Sequence, residues 1–249
     1  MSILNAIKRT VKYSQRFGGQ LTKDQLFKRL IGNKVYTRKE ISNFQFPISN
    51  KKNKYLKEKI KKAEELANKI SKNFEDILFL GITGSVAADY PKKNDDVDII
   101  IITKVNKLWI TRLKLRFFIM INKIPHRKFG KKEKKDDFCF NLWLDEKTLK
   151  IKKGRQNLRN AMDLILIKPL INKNKIYERF IFTNDWAKKW VATGYSELVN
   201  RSSMIDSRKN KDIFLDRIVN WLVFWPQFWY MKKKVKNEKI GLNEAFFHH

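Results

Sequence analysis

Residues 76–103 have the sequence DILFLGITGSVAADYPKKNDDVDIIIIT, in which two apolar runs of strand length flank a polar loop. The first run leads into Gly84 and Ser85, and the second begins at Asp96 and Asp98. Short runs rich in β-branched residues are typical of buried β-strands. The stretch therefore predicts two buried strands, with a Gly-Ser turn after the first and a carboxylate pair at the start of the second.

The Gly-Ser turn and the carboxylate pair suit phosphate and metal chemistry. The missing Cβ of Gly84 lets backbone amides approach a phosphate, and Ser85 adds a hydroxyl donor. Because strand side chains alternate, Asp96 and Asp98 point to the same face, where two carboxylates can hold Mg²⁺ together with substrate phosphates. We predict Gly84 and Ser85 as nucleotide-binding residues, and Asp96 and Asp98 as catalytic metal ligands. The alternative is an ordinary turn beside two surface acids.

The tripeptides Thr-Gly-Ser at 83–85 and Asp-Val-Asp at 96–98 resemble those of the DNA polymerase β-type nucleotidyltransferase superfamily. In that family the Gly-Ser turn binds the triphosphate, the two aspartates bind Mg²⁺, and a third carboxylate on a later strand completes the site. The resemblance is most specific over residues 76–103. It implies a mixed β-sheet core with helices, an NTP substrate and an Mg²⁺ cofactor. The wider order also resembles bacterial nucleotidyltransferases with an N-terminal helix-turn-helix-like segment.

Three positions depart from the pattern of that family. Residues 87–89 are Ala-Ala-Asp where many relatives have Ala-Arg-Gly, and Asp95 replaces a common serine. The next predicted strand has Asn141 where the third carboxylate is expected. Strand alternation places Asp137 on the same face as Asn141, near the level of Asp96 if the two strands are parallel. Asn141 and Asp137 are therefore both candidate catalytic residues.

The remaining pattern predicts an α+β fold in three parts. We expect a helix-turn-helix-like, winged-helix-like unit over residues 1–48 and a nucleotidyltransferase core over 49–150. A C-terminal helical region follows over 151–249, with no strand after Glu146. The C-terminal helices are expected to form one wall of the site.

The first unit contains two capping boxes, in which Thr22 and Thr37 each precede a Gln or Glu by three residues. Short helices with tight turns suggest a helix-turn-helix or winged-helix unit, a motif that is short and common and is found in DNA-binding proteins. A plain three-helix cap is the alternative. The following basic segment, 51–72, keeps a helical apolar stripe, and its lysines are most simply a solvated face.

The charge of the chain points to an anionic partner. Its 55 Lys and Arg outnumber 25 Asp and Glu, which gives a net charge of +30. Such a surface attracts polyanions, namely nucleic acid, an anionic membrane or nucleotide substrates, so nucleic acid is a candidate partner beside the NTP. The one cysteine, Cys139, excludes an intrachain disulfide framework and indicates a buried packing residue in a cytoplasmic protein. The three histidines are too scattered to indicate a metal site.

Residues 218–231 are strongly apolar and aromatic, with Asn220, Pro226 and Gln227 among them. The run is shorter than the roughly 20 residues that a transmembrane helix needs. We expect a helix buried among its neighbours rather than one lying in a membrane interface, so membrane association is not expected.

Overall fold

The computed structural model describes residues 1–16, 21–44, 53–127, 134–201, 213–232 and 239–247. The helices within these ranges are α1 (Ile3–Gln15), α2 (Lys23–Lys28), α3 (Arg38–Ser42), α4 (Leu56–Asn73), α5 (Gly84–Ala87), α6 (Leu108–Ile121), α7 (Leu158–Leu166), α8 (Ile176–Thr183), α9 (Lys188–Arg201) and α10 (Phe214–Lys232). The strands are β1 (Ile77–Ile82), β2 (Val97–Thr103), β3 (Phe138–Asp145), β4 (Lys168–Asn172), β5 (Lys239–Gly241) and β6 (Glu244–Phe246).

The strands form one mixed sheet in the order β4-β1-β2-β3-β6-β5. The two predicted strands are confirmed as β1 and β2, which pair antiparallel. Helix α6 then crosses over to β3, which runs parallel to β2, so the condition for placing Asp137 near the level of Asp96 is met. The other neighbouring pairs are antiparallel. The α+β prediction is therefore correct at the level of a mixed sheet covered by helices.

Helices cover both faces of the sheet. One face carries Ile99, Ile101 and Trp143 and packs against α4, α6 and α10. The opposite face carries Ile100 and Ile102 and packs against α7, α8 and α9. The unbroken burial of β1 and the near-complete burial of β2 follow from this sandwich, because a central strand covered on both faces needs apolar side chains in both directions.

The expectation of no strand after Glu146 is wrong, since β4, β5 and β6 all lie in that part of the chain. Strand β4 pairs with β1, and β6 pairs with β3, so the sheet crosses the predicted boundary at residue 150. These strands are short, which hides their period-two pattern. Strand β4 contains Pro169, which is tolerated there because β4 is an edge strand. Helix α9 likewise continues to Arg201, where a loop was expected from Thr193.

The N-terminal unit has the predicted capping boxes at Thr22 and Thr37, each with both reciprocal hydrogen bonds. Residues 29–37 separate α2 from α3, a connection longer than the turn of about three or four residues in a helix-turn-helix. The winged-helix interpretation therefore gains no support from this spacing. The glycine pair at 18–19 and the predicted boundary at residue 48 lie outside the described residues.

Asp89 anchors this unit to the rest of the protein. It sits at φ 64° and accepts hydrogen bonds from Arg29 Nη2 at 2.9 Å and from Gln25 Nε2 at 3.1 Å. Lys168 of β4 also pairs with the same carboxylate. Arg29 is buried, and its Nη2 additionally donates to the carbonyl oxygen of Ala88 at 2.8 Å. The residue that departs from the family pattern thus holds α2, α5 and β4 together.

Helix α10 buries its polar side chains and exposes several aromatic ones that were expected to be buried. Its polar residues Asn220 and Gln227 are buried, while Trp221, Trp225 and Trp229 are exposed. Asn220 Oδ1 accepts a hydrogen bond from the backbone N–H of Trp109 at 2.8 Å, and Gln227 Oε1 accepts one from Arg112 at 2.7 Å. The expectation of an all-round buried helix is therefore wrong, because polar contacts with α6 decide which side faces inward.

Over the ranges that the structure describes, the helices are all too short or too polar to cross a membrane.

Candidate functional site

The Gly-Ser turn and the carboxylate pair meet at one end of β1 and β2. Gly84 has φ +64°, and a Cβ built on it would lie 2.1 Å from Asp98 Oδ2. The backbone N–H of Thr83 also donates to the carbonyl oxygen of Asp98 at 2.9 Å. Any residue other than glycine would therefore be strained at position 84 and would collide with the carboxylate. Ser85 follows within α5, and its carbonyl oxygen accepts from the backbone N–H of Tyr90 at 3.0 Å.

Asp96 and Asp98 lie on the same side of β2, as predicted, and Cys139 joins them. Ligand atoms of these three side chains lie within 4.8 Å of one another. Cys139 is in register with Asp98 across the parallel β2–β3 pair, which explains the approach. Arg127 Nη1 lies 3.3 Å from Asp96 Oδ2. Burial, together with the charges of Asp98 and Asp96, raises the pKa of the Cys139 thiol.

A β-bulge in β3 brings Asn141 into contact with Asp98. The register between β2 and β3 shifts between Ile99 and Ile100, so an extra residue of β3 is accommodated there. Asn141 Nδ2 donates to Asp98 Oδ1 at 2.9 Å. Its Oδ1 is buried and has no hydrogen-bond partner among the described residues. The structure therefore places the Asn141 amide beside Asp98, and its catalytic role stays a prediction.

The same bulge makes the predicted alternation wrong beyond Asn141. Trp143 was expected on the face of Asp137 and Asn141, but it packs into the core on the opposite side of the sheet. The backbone of Asp137 does lie at the expected level, because its carbonyl oxygen accepts from Val97 N–H at 2.9 Å. Its carboxylate is nevertheless absent from the group that Asp96, Asp98 and Cys139 form among the described residues.

Lys59 of α4 holds the loops that lead into β2 and β3. Its buried Nζ donates to the carbonyl oxygen of Asp95 at 2.6 Å and to Asp136 Oδ1 at 2.7 Å. Lys62 donates to Asp136 Oδ2 at 2.8 Å. The prediction that the lysines of this helix form a solvated face is therefore wrong for Lys59. This contact fixes the start of the strand that carries Asp96 and Asp98.

A pocket of about 470 Å³ opens beside Asp98. Gly84, Asp98 and Asn141 lie in its wall, and α7 contributes the side expected from the C-terminal region. The charged and polar residues that α7 and the segment before it add are Arg155, Asn157, Arg159, Asn160 and Asp163. Of the predicted site residues, Ser85, Asp96 and Asp137 do not line this pocket among the residues described.

Two arginines, Arg155 and Arg159, and two carboxylates, Asp98 and Asp163, are the charged groups of this pocket. The guanidinium of Arg155 lies 4.3 Å from the ring centroid of Phe246 on β6. Arg159 lies one helical turn before Asp163 on α7. Asp163 is exposed to solvent, and partial desolvation by the surrounding pocket residues raises the pKa of its carboxyl above the usual range. The pocket therefore combines positive charge with a carboxylate that titrates near neutral pH.

Sequence reasoning missed Cys139, Arg155, Arg159 and Asp163 as site residues. Cys139 could have been identified from the pairing of β2 with β3, because the parallel register places Cys139 beside Asp98. The four-residue spacing of Arg159 and Asp163 placed both on one helix face, but nothing in the sequence showed which way that face points. No protein-family model, curated protein or solved structure matches this chain.

Proposed function

We propose that this protein is an Mg²⁺-dependent nucleotidyltransferase, which transfers a nucleoside monophosphate from an NTP to an acceptor hydroxyl and releases pyrophosphate. One observation carries the proposal. The carboxylate of Asp98 stands between a left-handed glycine and a pocket lined by two arginines, with Asp96 on the same side of the strand. A glycine against a carboxylate, beside a pocket that contains arginines, supports a site for phosphate and metal.

The side chains present fit a divalent cation. Asp96 and Asp98 would hold it, and the unpaired Oδ1 of Asn141 is a further oxygen beside Asp98. Mg²⁺ prefers such oxygen ligands and keeps some positions for substrate phosphates. When bound, it would offset the negative charge of the triphosphate and of the leaving pyrophosphate.

The other residues of the pocket would bind and orient the nucleotide. Gly84 lets the Asp98 carboxylate lie against the backbone at the edge of the pocket, which any Cβ would prevent. Arg155 and Arg159 supply positive charge for the phosphates, and their forked donors suit phosphate oxygens. Asp163 lies in the same pocket, and its pKa of about 6 suits a group that accepts a proton from an acceptor hydroxyl near neutral pH.

The direct test is incubation with each α-labelled NTP, Mg²⁺ and a panel of acceptors that includes RNA, tRNA, proteins and small polyhydroxyl compounds. Label transfer to one acceptor class, with stoichiometric pyrophosphate release and loss of both signals in EDTA, is expected. Absence of transfer to every class, together with absence of Mg·NTP binding by calorimetry, would refute the proposal.

A second candidate function is favoured by Asn141. An amide in place of the third carboxylate adds no charge and cannot act as a base, so the core could bind a nucleotide without turning it over. The protein would then be a nucleic-acid-binding protein with a nucleotide-sensing core. Strong Mg·NTP binding without transfer would support this function over catalysis.

Asn141→Asp separates the two candidates. Nδ2 of Asn141 lies 2.9 Å from Asp98 Oδ1, and a carboxylate oxygen would take its place in the variant. The two negative charges would then repel each other unless a cation lies between them. We expect a lower melting temperature without Mg²⁺ and a metal affinity raised by about tenfold. A transfer rate that rises modestly from a measurable wild-type rate supports the enzyme. Transfer that exists only in the variant identifies the natural chain as the sensor.

Asp137→Asn is the matched control for that experiment. Its carboxylate lies outside the group around Asp98, so the variant should keep both the metal affinity and the rate of the unmodified protein. A clear loss of rate in Asp137→Asn would show instead that this carboxylate reaches the site when substrate binds.

Nucleic-acid binding, as a proposed second property, should be dominated by charge. Basic residues are spread over 51–62, 123–135 and 232–239, partly outside the described residues, so many phosphates would be contacted. With six or more contacts, affinity is expected to fall by about 10³ between 50 and 200 mM salt. Fluorescence anisotropy with labelled RNA and duplex DNA measures this slope, and an affinity that is flat with salt would contradict the prediction.

A further inference from the structure

Helices α6 and α10 carry most of the exposed large apolar side chains of the described residues. The outer apolar face, as we call it, consists of Phe117, Met120 and Ile121 on α6 and of Phe214, Leu215, Ile218, Trp221, Leu222, Trp225 and Trp229 on α10. Ile121 is 75% exposed, and Trp229 is 60% exposed. Exposed patches of this kind mark interaction sites, whereas scattered apolar residues do not.

The contacts on the buried side of α10 explain why its apolar side chains are exposed. Asn220, Gln227 and Met231 lie on the buried side, where Arg112 of α6 reaches both Gln227 and Met231. Because a buried guanidinium and two amides occupy the inward side, the helix cannot turn its tryptophans into the core without leaving these groups unpaired. The orientation with apolar side chains outward is therefore the one that satisfies the hydrogen bonds.

The charge around the outer apolar face is almost entirely positive. The two helices contain one acidic residue, Asp216, which is paired with Lys107 at 2.6 Å. Apart from the buried Arg112, their basic residues are Lys114, Arg116, Arg217 and Lys232. The guanidinium of Arg116 lies 5.7 Å from the ring of Tyr230, and the ammonium of Lys232 lies 5.0 Å from the ring of Trp229. Cations thus border the aromatic rings directly.

We propose that the outer apolar face docks on an anionic lipid bilayer, with its tryptophans at headgroup level and its lysines and arginines against the lipid phosphates. Tryptophan and tyrosine favour the membrane interface, and a helix with aromatic residues beside basic ones lies in that plane. The face attaches without spanning, in keeping with the hydropathy of both helices. Two copies of the chain that paired through this face would bring their basic residues close together, and these would repel each other.

This proposal does not depend on the nucleotide site. It replaces the expectation of no membrane association, which rested on a buried α10.

Flotation with vesicles of phosphatidylcholine alone, and of phosphatidylcholine with one quarter phosphatidylglycerol, tests the proposal on the full chain. Binding to the anionic vesicles, with little binding to the neutral ones, is expected. Leu222→Ser/Trp229→Ser should lower the partition coefficient by at least about tenfold. The matched control is Leu4→Ser/Val35→Ser, which removes two exposed apolar side chains from the N-terminal unit and should bind as before.

The charge requirement has its own pair of variants. Lys114→Glu/Arg116→Glu should abolish the preference for anionic vesicles. Lys57→Glu/Lys69→Glu on exposed positions of α4 changes the net charge equally and should keep it. Circular dichroism confirms that each variant is folded.

Three results would overturn the proposal. The first is absence of flotation with anionic vesicles. The second is binding that Leu222→Ser/Trp229→Ser leaves unchanged, which would show attraction by charge alone. The third is that the unmodified protein does not float with vesicles but is a dimer by light scattering, and that Leu222→Ser/Trp229→Ser is a monomer. This result would assign the face to a second copy of the chain.

Discussion

Asp98→Asn is expected to reduce nucleotidyl transfer by at least about a hundredfold, the cost of removing one strong electrostatic contact to the reacting groups. Asp98 is central to the proposed site because it touches each of the other parts. It lies against Gly84, accepts a hydrogen bond from Asn141 and borders the pocket. The amide keeps the shape of the side chain, so the fold should remain while the charge that holds Mg²⁺ is lost.

The measurement is the initial rate of transfer at saturating NTP, together with calorimetric titration of Mg·NTP. Asp95→Asn is the matched control, since it makes the same chemical change three residues earlier. The Asp95 carboxylate accepts from the backbone N–H of Lys92 at 2.9 Å and lies outside the metal group. We expect both rate and affinity to remain near those of the unmodified protein in this control. Equal loss in the two variants, or unchanged Mg·NTP affinity in Asp98→Asn, would show that the site is assigned to the wrong residues.

Asp89→Asn is expected to lower the free energy of unfolding by about 3 kcal/mol, because it leaves the buried Arg29 without its anion. The side chain of Arg29 is 5% exposed, and its charge is balanced in this structure by Asp89. Asparagine tolerates the left-handed backbone at this position, so the change tests the charge rather than the turn. Urea denaturation followed by circular dichroism gives the difference in free energy.

Asp24→Asn provides the control within the same unit. Asp24 pairs with Arg38, but both side chains are largely exposed, so removal of this pair should cost less than about 1 kcal/mol. If the two variants are equally stable, the contact between Arg29 and Asp89 does not anchor the N-terminal unit. A loss confined to the N-terminal helices in hydrogen exchange would further show that α2 detaches before the sheet unfolds.

The sequence between residues 76 and 103 was sufficient to predict β1, β2 and the shared side of Asp96 and Asp98. These depend on local patterns, since alternation and β-branched residues act within a single strand. The capping boxes at Thr22 and Thr37 were predictable for the same reason. The specific nucleotidyltransferase assignment remains a proposal.

The features that could not be predicted depend on contacts between distant parts of the chain. The bulge at Asn141 arises from the pairing of β3 with β2, and no local signal marks it. The direction of α10 depends on Trp109 and Arg112, which lie more than a hundred residues earlier. From hydropathy alone, the tryptophans of this helix were expected in the interior. Hydropathy values describe each side chain separately, so they do not include the buried hydrogen bonds that α10 makes with α6.

The pairing of β6 with β3 has a consequence for the order in which the molecule can assemble. The backbone N–H of Phe247 donates to the carbonyl oxygen of Asn141 at 2.8 Å, and Phe246 lines the pocket. A chain emerging from the ribosome therefore leaves one edge of β3 open until residues 239–247 are synthesised. Contacts at such separation form late, and an open strand edge is prone to pair with other chains. Completion of the pocket wall that includes Phe246 is thus deferred until nearly all of the described sequence has been translated.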